Sequence, residues 1–231
     1  MLGVGFDLDH TIAIDNKLER VAFLRLLEDV LDNGGHALGT LTEETESIDA
    51  LLAQQRGGAF SIDEAVRRFV RERGAPANDG YIDRFRAMTL DMVDEFIIPL
   101  PGAKVTFAAL RERGVRTAVL SNGWSPLQAR KAKRAGFDGP VLASADLGVQ
   151  KPDRGAFDAL VAALGTTREN TWYVGDDPRC DVNGARDAGL HAIWIDAERK
   201  AYPPDLAPPR YTVSALEELM DILPSPSQQL A

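Results

Sequence analysis

The sequence predicts an α/β protein, a doubly wound parallel sheet interrupted by an all-helical insert. Three observations carry this reading. After Pro101, short apolar runs alternate with helical stretches, the pattern of parallel strands joined by right-handed helical crossovers. Before Pro99, a long segment shows helical periodicity and no convincing strand. At the N-terminus one isolated apolar run, Val4-Gly5-Phe6, opens directly into carboxylates.

Val4-Gly5-Phe6 reads as a short buried strand, the first of a sheet whose other strands follow only after Pro101. Leu18, Val21, Ala22, Leu24, Leu27 and Leu31 recur at helical spacing and predict a helix over 18–31. A second helix is expected over 43–54. Ser61-Ile62-Asp63-Glu64 is a capping box that opens a third, running through Arg73 and stopping at Gly74. A fourth covers 81–96, and Pro99 and Pro101 close the segment. The insert is therefore residues 15–98, and the core is residues 1–14 and 99–231. In the core, a helix over 103–113 stops at Gly114 and a strand follows over 117–120. Ser125 and Pro126 supply an N-cap and a first-turn proline for a helix ending at Gly136. Val141-Leu142 is a short strand. A helix over 155–164, a strand over 171–174, a helix over 179–188 and a strand over 192–195 complete the alternation. The Pro/Ser/Gln-rich tail from Pro224 is expected to fray.

Bulk properties narrow the function classes. Apolar residues make up 45% and charged residues 26% of 231, enough for an ordinary globular core. No apolar run is long enough to cross a bilayer, and Met1 to Asp7 lack the basic start and apolar stretch of a secretion signal. Cys180 is the single cysteine, so no internal disulfide can form. Together these suggest a cytoplasmic protein without a membrane partner. The net charge of −9 disfavours a nucleic-acid polymer as partner. Most of that charge lies in the insert, where 10 Lys+Arg face 17 Asp+Glu.

In open α/β sheets, sites gather at the carboxyl ends of the strands. Three predicted strands end in polar residues: the first in Asp7, with Asp9 and Thr11 beyond it; the second in Ser121-Asn122; the third in Gly175-Asp176-Asp177, followed by Asp181. Lys151 lies in the loop Val149-Gln150-Lys151-Pro152. Clustered carboxylates repel one another and call for a cation, or for some members to stay protonated. Oxygen ligands without His or Cys favour a hard ion, and Mg²⁺ suits a phosphate substrate. Asp7 and Asp176 are the expected ligands, with Asp9 contributing its backbone carbonyl.

Asp7-Leu8-Asp9-His10-Thr11, Ser121-Asn122, Lys151 and Gly175-Asp176-Asp177 with Asp181 resemble, in order, the four motifs of the haloacid dehalogenase superfamily. The stretch Leu147 to Asp153 and Asp181-Val182-Asn183-Gly184-Ala185 resemble members near the pyrimidine 5′-nucleotidases. The resemblance implies a Rossmann-like catalytic core with a helical cap and a small-molecule phosphate substrate. Asp7 would attack phosphorus and form an aspartyl-phosphate. Asp9 would act as general acid and base. Lys151 and Ser121, with Thr11 and Asn122 at the substrate, would hold the transferring phosphoryl. Asp177 and Asp181 would orient metal-bound water or Lys151, or else serve the start of the following helix. Lys17, Arg20 and Arg56 are candidates for substrate contact from the insert.

Rivals remain at this level, a related phosphomutase or phosphonatase among them, the latter disfavoured by the lack of an obvious lysine nucleophile in the insert. A carbon–halogen hydrolase would use the same nucleophile, yet a leaving halide needs no proton from Asp9. A non-catalytic, partner-binding relative would be expected to lose the nucleophile or the metal ligand. His10 is expected to point away from Asp7 and Asp9 by strand alternation; Cys180 and Trp124 read as packing residues.

Overall fold

The computed structural model describes residues 1–76, 78–197, 199 and 201–224. The chain divides into two compact units, Met1–Asp15 with Ile97–Ala231, and Asn16–Phe96. The first unit is built on β1 (Gly3–Phe6), β2 (Ala13–Asp15), β3 (Ile97–Pro99), β4 (Arg116–Ser121), β5 (Val141–Ala143), β6 (Thr171–Gly175), β7 (His191–Ile195) and β8 (Tyr211–Val213). Six of these form one sheet in the order β5-β4-β1-β6-β7-β8, and every neighbouring pair is parallel. The chain builds outward from β1 to β4 and β5, then returns to β1's other edge for β6. That reversal is the topological switch point where α/β proteins place their sites. In register, Phe6 lies beside Val119 of β4 and Val174 of β6, so Asp7 emerges between the ends of both neighbours.

β2 and β3 form a separate antiparallel ribbon. Asp15, Ile97 and Ile98 therefore belong to strands, although their sequence context placed them in a strandless helical insert. Runs of three residues are too short to display a period. β8 also escaped prediction, lying in a Pro-rich stretch with no apolar run.

The second unit contains α1 (Leu18–Asp32), α2 (Leu41–Arg56), α3 (Ile62–Glu72), α4 (Asp79–Asp91) and α5 (Val93–Phe96). Thr40 and Glu43 close a reciprocal capping box at α2, and Ser61 caps α3. The expected single helix over 81–96 is two, because the α4 ladder ends at Met92, whose N–H turns to Met88 and Leu90 carbonyls. Phe23 packs against Phe69 and Phe85, with ring centroids 5.0 and 4.5 Å away. Beside this apolar centre Arg73 is fully buried and bonds Glu44 through Nε at 3.0 Å and Nη2 at 2.5 Å. Its guanidinium also lies over the Phe69 ring, 3.7 Å from the centroid.

Back in the first unit, α6 (Ala103–Glu112), α7 (Leu127–Arg134), α8 (Ser144–Leu147), α9 (Arg154–Leu164), α10 (Gly184–Asp187) and α11 (Leu219–Ile222) flank the sheet. Alternation sends Val4 and Phe6 to one face of β1 and Gly3 and Gly5 to the other. Phe6 meets Phe107 of α6 edge-on at 5.5 Å. On the opposite face α9 packs Phe157, Leu160 and Leu164 against Ala118, Leu120 and Tyr173. A Cβ on Gly5 would sit 2.9 Å from Tyr173 Cδ2 and would overlap Leu160, so this face admits only glycine there.

Two helix starts differ from expectation. Pro126, not Ser125, occupies the cap position of α7, and no side chain caps that helix. The stretch expected as one helix over 179–188 is a π-helical turn, Pro178–Asn183, continued by α10. Residues 225–231 of the tail expected to fray lie outside the described residues.

Candidate active site

Asp7 directly follows β1, and its N–H donates to Val174 O at 2.8 Å, extending the ladder by one residue. The chain then turns back on itself. The Leu8 carbonyl accepts from Ile12 N at 3.0 Å and Ala13 N at 3.1 Å. His10 has a φ of 63°, so it is outside the strand and the alternation argument for its direction does not apply there. This hairpin brings Asp9 and Asp15 back beside the end of the sheet.

Lys151 is the centre of the cluster. It is 3% exposed, and its Nζ donates to Asp7 Oδ1 at 2.5 Å, Asp181 Oδ1 at 2.7 Å and Tyr173 Oη at 2.9 Å. Tyr173 Oη in turn donates a hydrogen bond to Leu120 O at 2.9 Å, which fixes the phenol as an acceptor toward Lys151. A turn closed by Asp153 N to Gln150 O at 2.9 Å carries the lysine. Asn122 clamps that turn: its Nδ2 donates to Lys151 O and its Oδ1 accepts from Lys151 N, both at 2.9 Å. Asn122 was expected at the substrate; its amide is instead engaged with the backbone of Lys151. Ser121 is buried at the end of β4 and accepts from Gln128 Nε2 at 3.0 Å, leaving its own hydroxyl proton to donate.

Carboxylate oxygens of Asp7, Asp176 and Asp181 lie within 4.8 Å of one another. This set adds the Asp181 side chain to the two expected side-chain ligands, Asp7 and Asp176; the contribution expected of Asp9 is its backbone carbonyl, which is not a side-chain ligand. The Asp9 carboxylate points elsewhere, and Asp181 supplies the third acidic side chain. Asp181 Oδ2 also accepts from Asp177 N at 3.0 Å. Gly175 makes this possible, because a Cβ there would collide with the Asp181 carboxylate. Asp177 does not reach Lys151 in any described hydrogen bond. Its carboxylate caps the π-helical turn, accepting from Arg179 N at 2.8 Å and Cys180 N at 2.7 Å. Thr11 Oγ1 lies 3.5 Å from Asp176 Oδ1, and Trp194 Nε1 holds the Asp176 carbonyl at 2.9 Å.

Burial dominates the electrostatics. It pushes Asp7 up to about 6, against the pull of Lys151 and with added repulsion from Asp181. It pushes Asp176 up to about 8, with Asp7 and Asp181 repelling further. Asp181 is raised for the same reason, opposed by Lys151. Burial works against the charged form of Lys151, but Asp181 and Asp7 outweigh it and hold the ammonium well above its usual value. Three carboxylates thus share one cation. The arrangement is underneutralised, all-oxygen and compact, the chemistry that a hard divalent ion satisfies.

A second lysine had no signal in the sequence. Lys131, on α7, is 2% exposed. Its Nζ lies 2.9 and 3.1 Å from the two Asp9 oxygens and 2.6 Å from Asp15 Oδ2. Burial still raises Asp9, opposed by Lys131 and assisted by Asp15 and Asp7. In sequence Lys131 reads as one of several basic residues in a helix ending, and nothing local pairs it with Asp9.

With this geometry in view, comparison with known proteins decides the family. The model of the haloacid dehalogenase-like hydrolases matches residues 1–189. The chain belongs to that family. Among relatives of this hydrolase, a phosphoserine phosphatase of Thermus thermophilus is 38% identical over 111 residues, 47% of this chain and 45% of the relative. The pyrimidine 5′-nucleotidase YjjG of Escherichia coli is 35% identical over 139 residues, 58% of this chain and 60% of the relative. The chain thus spans about half the length of these two relatives. A glyceraldehyde 3-phosphate phosphatase of Pyrococcus furiosus is 24% identical across 94% of this chain and 91% of its own. Among solved structures, the HAD-hydrolase YfnB of Bacillus subtilis, bound to magnesium, superposes with a TM-score of 0.69 at 25% identity over 96% of this chain and 98% of that one. All three relatives are named as phosphate-releasing enzymes, two phosphatases and a 5′-nucleotidase. Among the described residues of this chain no helix is long and apolar enough to cross a membrane.

Proposed function

We propose that this hydrolase cleaves a small phosphomonoester, with Asp7 as nucleophile, Asp9 as general acid and base, and Mg²⁺ held by Asp7, Asp176 and Asp181. The observation that carries the reading is the position of Asp7, at the switch point of the sheet, between the Lys151 ammonium and two further carboxylates. The three acidic side chains fit a divalent cation, which would neutralise charge on the transferring phosphoryl when bound.

In the first half-reaction an Asp7 oxygen forms a bond to phosphorus as the ester P–O bond breaks. Asp9 gives its proton to the departing alkoxide. In the second, Asp9 takes a proton from water while that oxygen bonds phosphorus and the Asp7–phosphorus bond breaks. Lys151 keeps Asp7 aimed and sets its positive charge beside the transferring phosphoryl, while the Ser121 hydroxyl offers a donor to a phosphoryl oxygen. Lys131 anchors Asp9 and supplies a counter-charge when that carboxylate is ionised. Burial, which raises Asp9, favours the protonated form needed for the first step. Proton donation also separates this reading from carbon–halogen hydrolysis, where the halide leaves unprotonated.

The substrate class is a nucleotide 5′-monophosphate or another small metabolite phosphate, in keeping with the relatives' names, and a cytoplasmic setting fits the single cysteine. The test is release of phosphate from p-nitrophenyl phosphate with Mg²⁺, with chelator, and by Asp7→Asn. The reading requires activity that is lost in both controls. Turnover that persists in Asp7→Asn would overturn it.

A further inference from the structure

α7 buries two of its polar side chains, Gln128 at 3% exposure and Lys131 at 2%. Three residues apart, they share one helical face. Lys131 reaches Asp9 from that face, and Gln128 reaches Ser121. Gln128 Nε2 donates to Ser121 Oγ at 3.0 Å, and Ser121 is itself buried. Gly123 makes room for the contact, because a Cβ there would overlap Gln128 Nε2. The loop carrying Gly123 is fixed in turn. Ser144 Oγ accepts from Gly123 N at 3.0 Å, and Gly123 O accepts from Ala145 N at 3.0 Å. Gln128 Oε1 is also buried, yet it has no hydrogen-bond partner among the described residues. A buried amide kept for packing is ordinarily paired at both ends, because a stranded acceptor is destabilising. Gln128 instead directs its donor end at a residue of the candidate active site.

We propose that Gln128 is a positioning residue that aims the Ser121 hydroxyl at the transferring phosphoryl, a role that rests on the functional reading above. A serine hydroxyl has one proton and two lone pairs. An N–H donated to one lone pair bars the Ser121 proton from that side, because two donors facing each other repel. The proton is left to turn away from α7. Ser121 ends β4, the strand beside β1 and its Asp7, so a proton turned that way serves an oxygen held at the strand ends. Gln128 thereby converts a free rotor into a directed donor, oriented before the substrate arrives. Donors to a developing negative charge act through such preorganisation, and a hydroxyl left to rotate would have to be ordered anew in each turnover.

The test is a double-mutant cycle on the full chain with Mg²⁺: the unaltered protein, Ser121→Ala, Gln128→Met and the double variant, with Gln128→Glu beside them. Two quantities are read, kcat for p-nitrophenyl phosphate and the affinity for inorganic phosphate by calorimetry. Ser121→Ala is expected to lower kcat about 100-fold, the effect of one lost donor to a developing charge, and to weaken phosphate about tenfold. Gln128→Met should lower kcat about tenfold in the unaltered protein and less than about twofold in Ser121→Ala, because its effect passes through that hydroxyl. Gln128→Glu keeps the side chain's shape but, as a carboxylate, draws the Ser121 proton toward itself, so its kcat should fall about as far as that of Ser121→Ala. A residue that only fills space would show the same loss in both backgrounds. That result in an active enzyme, or full activity in both Gln128 variants, overturns this proposal alone. Phosphate binding with the same non-additivity but no turnover of the ester defeats the hydrolytic reading and leaves the role of Gln128 standing. An unaltered protein that neither binds phosphate nor releases it overturns both.

Discussion

Lys151 Nζ lies 2.5 Å from Asp7 Oδ1, and the two residues are 144 positions apart in the chain. The same ammonium is shared with Asp181, so removing it strands two buried carboxylates. Lys151→Met is expected to abolish phosphate release and to destabilise the fold by about 3 kcal/mol, the usual cost of breaking a buried pair from one side. Urea denaturation with and without Mg²⁺ checks this. A variant as stable as the parent would mean that Asp7 and Asp181 already fold protonated.

The pH dependence of the metal-free protein follows from the raised acids. An acid whose pKa rises on folding stabilises the fold in its protonated form, and that contribution fades as pH climbs toward the folded value. Asp7 at about 6 and Asp176 at about 8 start from about 4 in the unfolded chain. With chelator, Tm should therefore fall steadily between pH 5 and about pH 8.5. Mg²⁺ competes with those protons, so the Tm gain on adding it should grow across the same range. A metal-induced shift that is constant with pH would argue against these three ligands.

Lys131 predicts a dissociation of stability from chemistry. Lys131→Met removes the ammonium that Asp9 and Asp15 share, and a loss of roughly 3 kcal/mol is expected. Adding Asp15→Asn should restore much of that stability, because the remaining Asp9 can then protonate. Activity should stay at least about tenfold down in the double variant, since Asp9 loses its anchor. Thermal melts beside steady-state rates decide the matter; full recovery of both would reduce Lys131 to charge balance alone.

Arg73 and Glu44 make the corresponding prediction for the helical unit, where both are buried. Arg73→Met alone should cost about 3–5 kcal/mol, and Arg73→Met with Glu44→Leu should recover most of it. Chemical denaturation of the four members of this cycle gives the coupling directly.

Gly175 should tolerate no side chain. A methyl group there would displace the Asp181 carboxylate, so Gly175→Ala is expected to weaken Mg²⁺ binding at least about tenfold, as changes beside metal ligands commonly do. Calorimetric titration with Mg²⁺ measures it, and unaltered affinity would remove Asp181 from the ligand set.

What the sequence determined by itself was local in origin. Helical spacing at Leu18, Val21 and Ala22, the cap at Ser61, and apolar runs ending in Asp7, Ser121 and Asp176 follow from backbone period and turn chemistry, which act over a few residues. That was enough to read a parallel sheet, a helical insert and a row of polar strand ends. Tertiary structure alone decided the partners. Lys131 meets Asp9 across 122 residues, Asn122 clamps Lys151 across 29, and Asp181 joins Asp7 and Asp176 in the acidic trio because the π-helical turn, capped by Asp177, swings it over Gly175. Such pairings depend on the order and register of strands and on where each helix returns to the sheet. A charge on a helix face carries no local mark of which distant carboxylate it will neutralise.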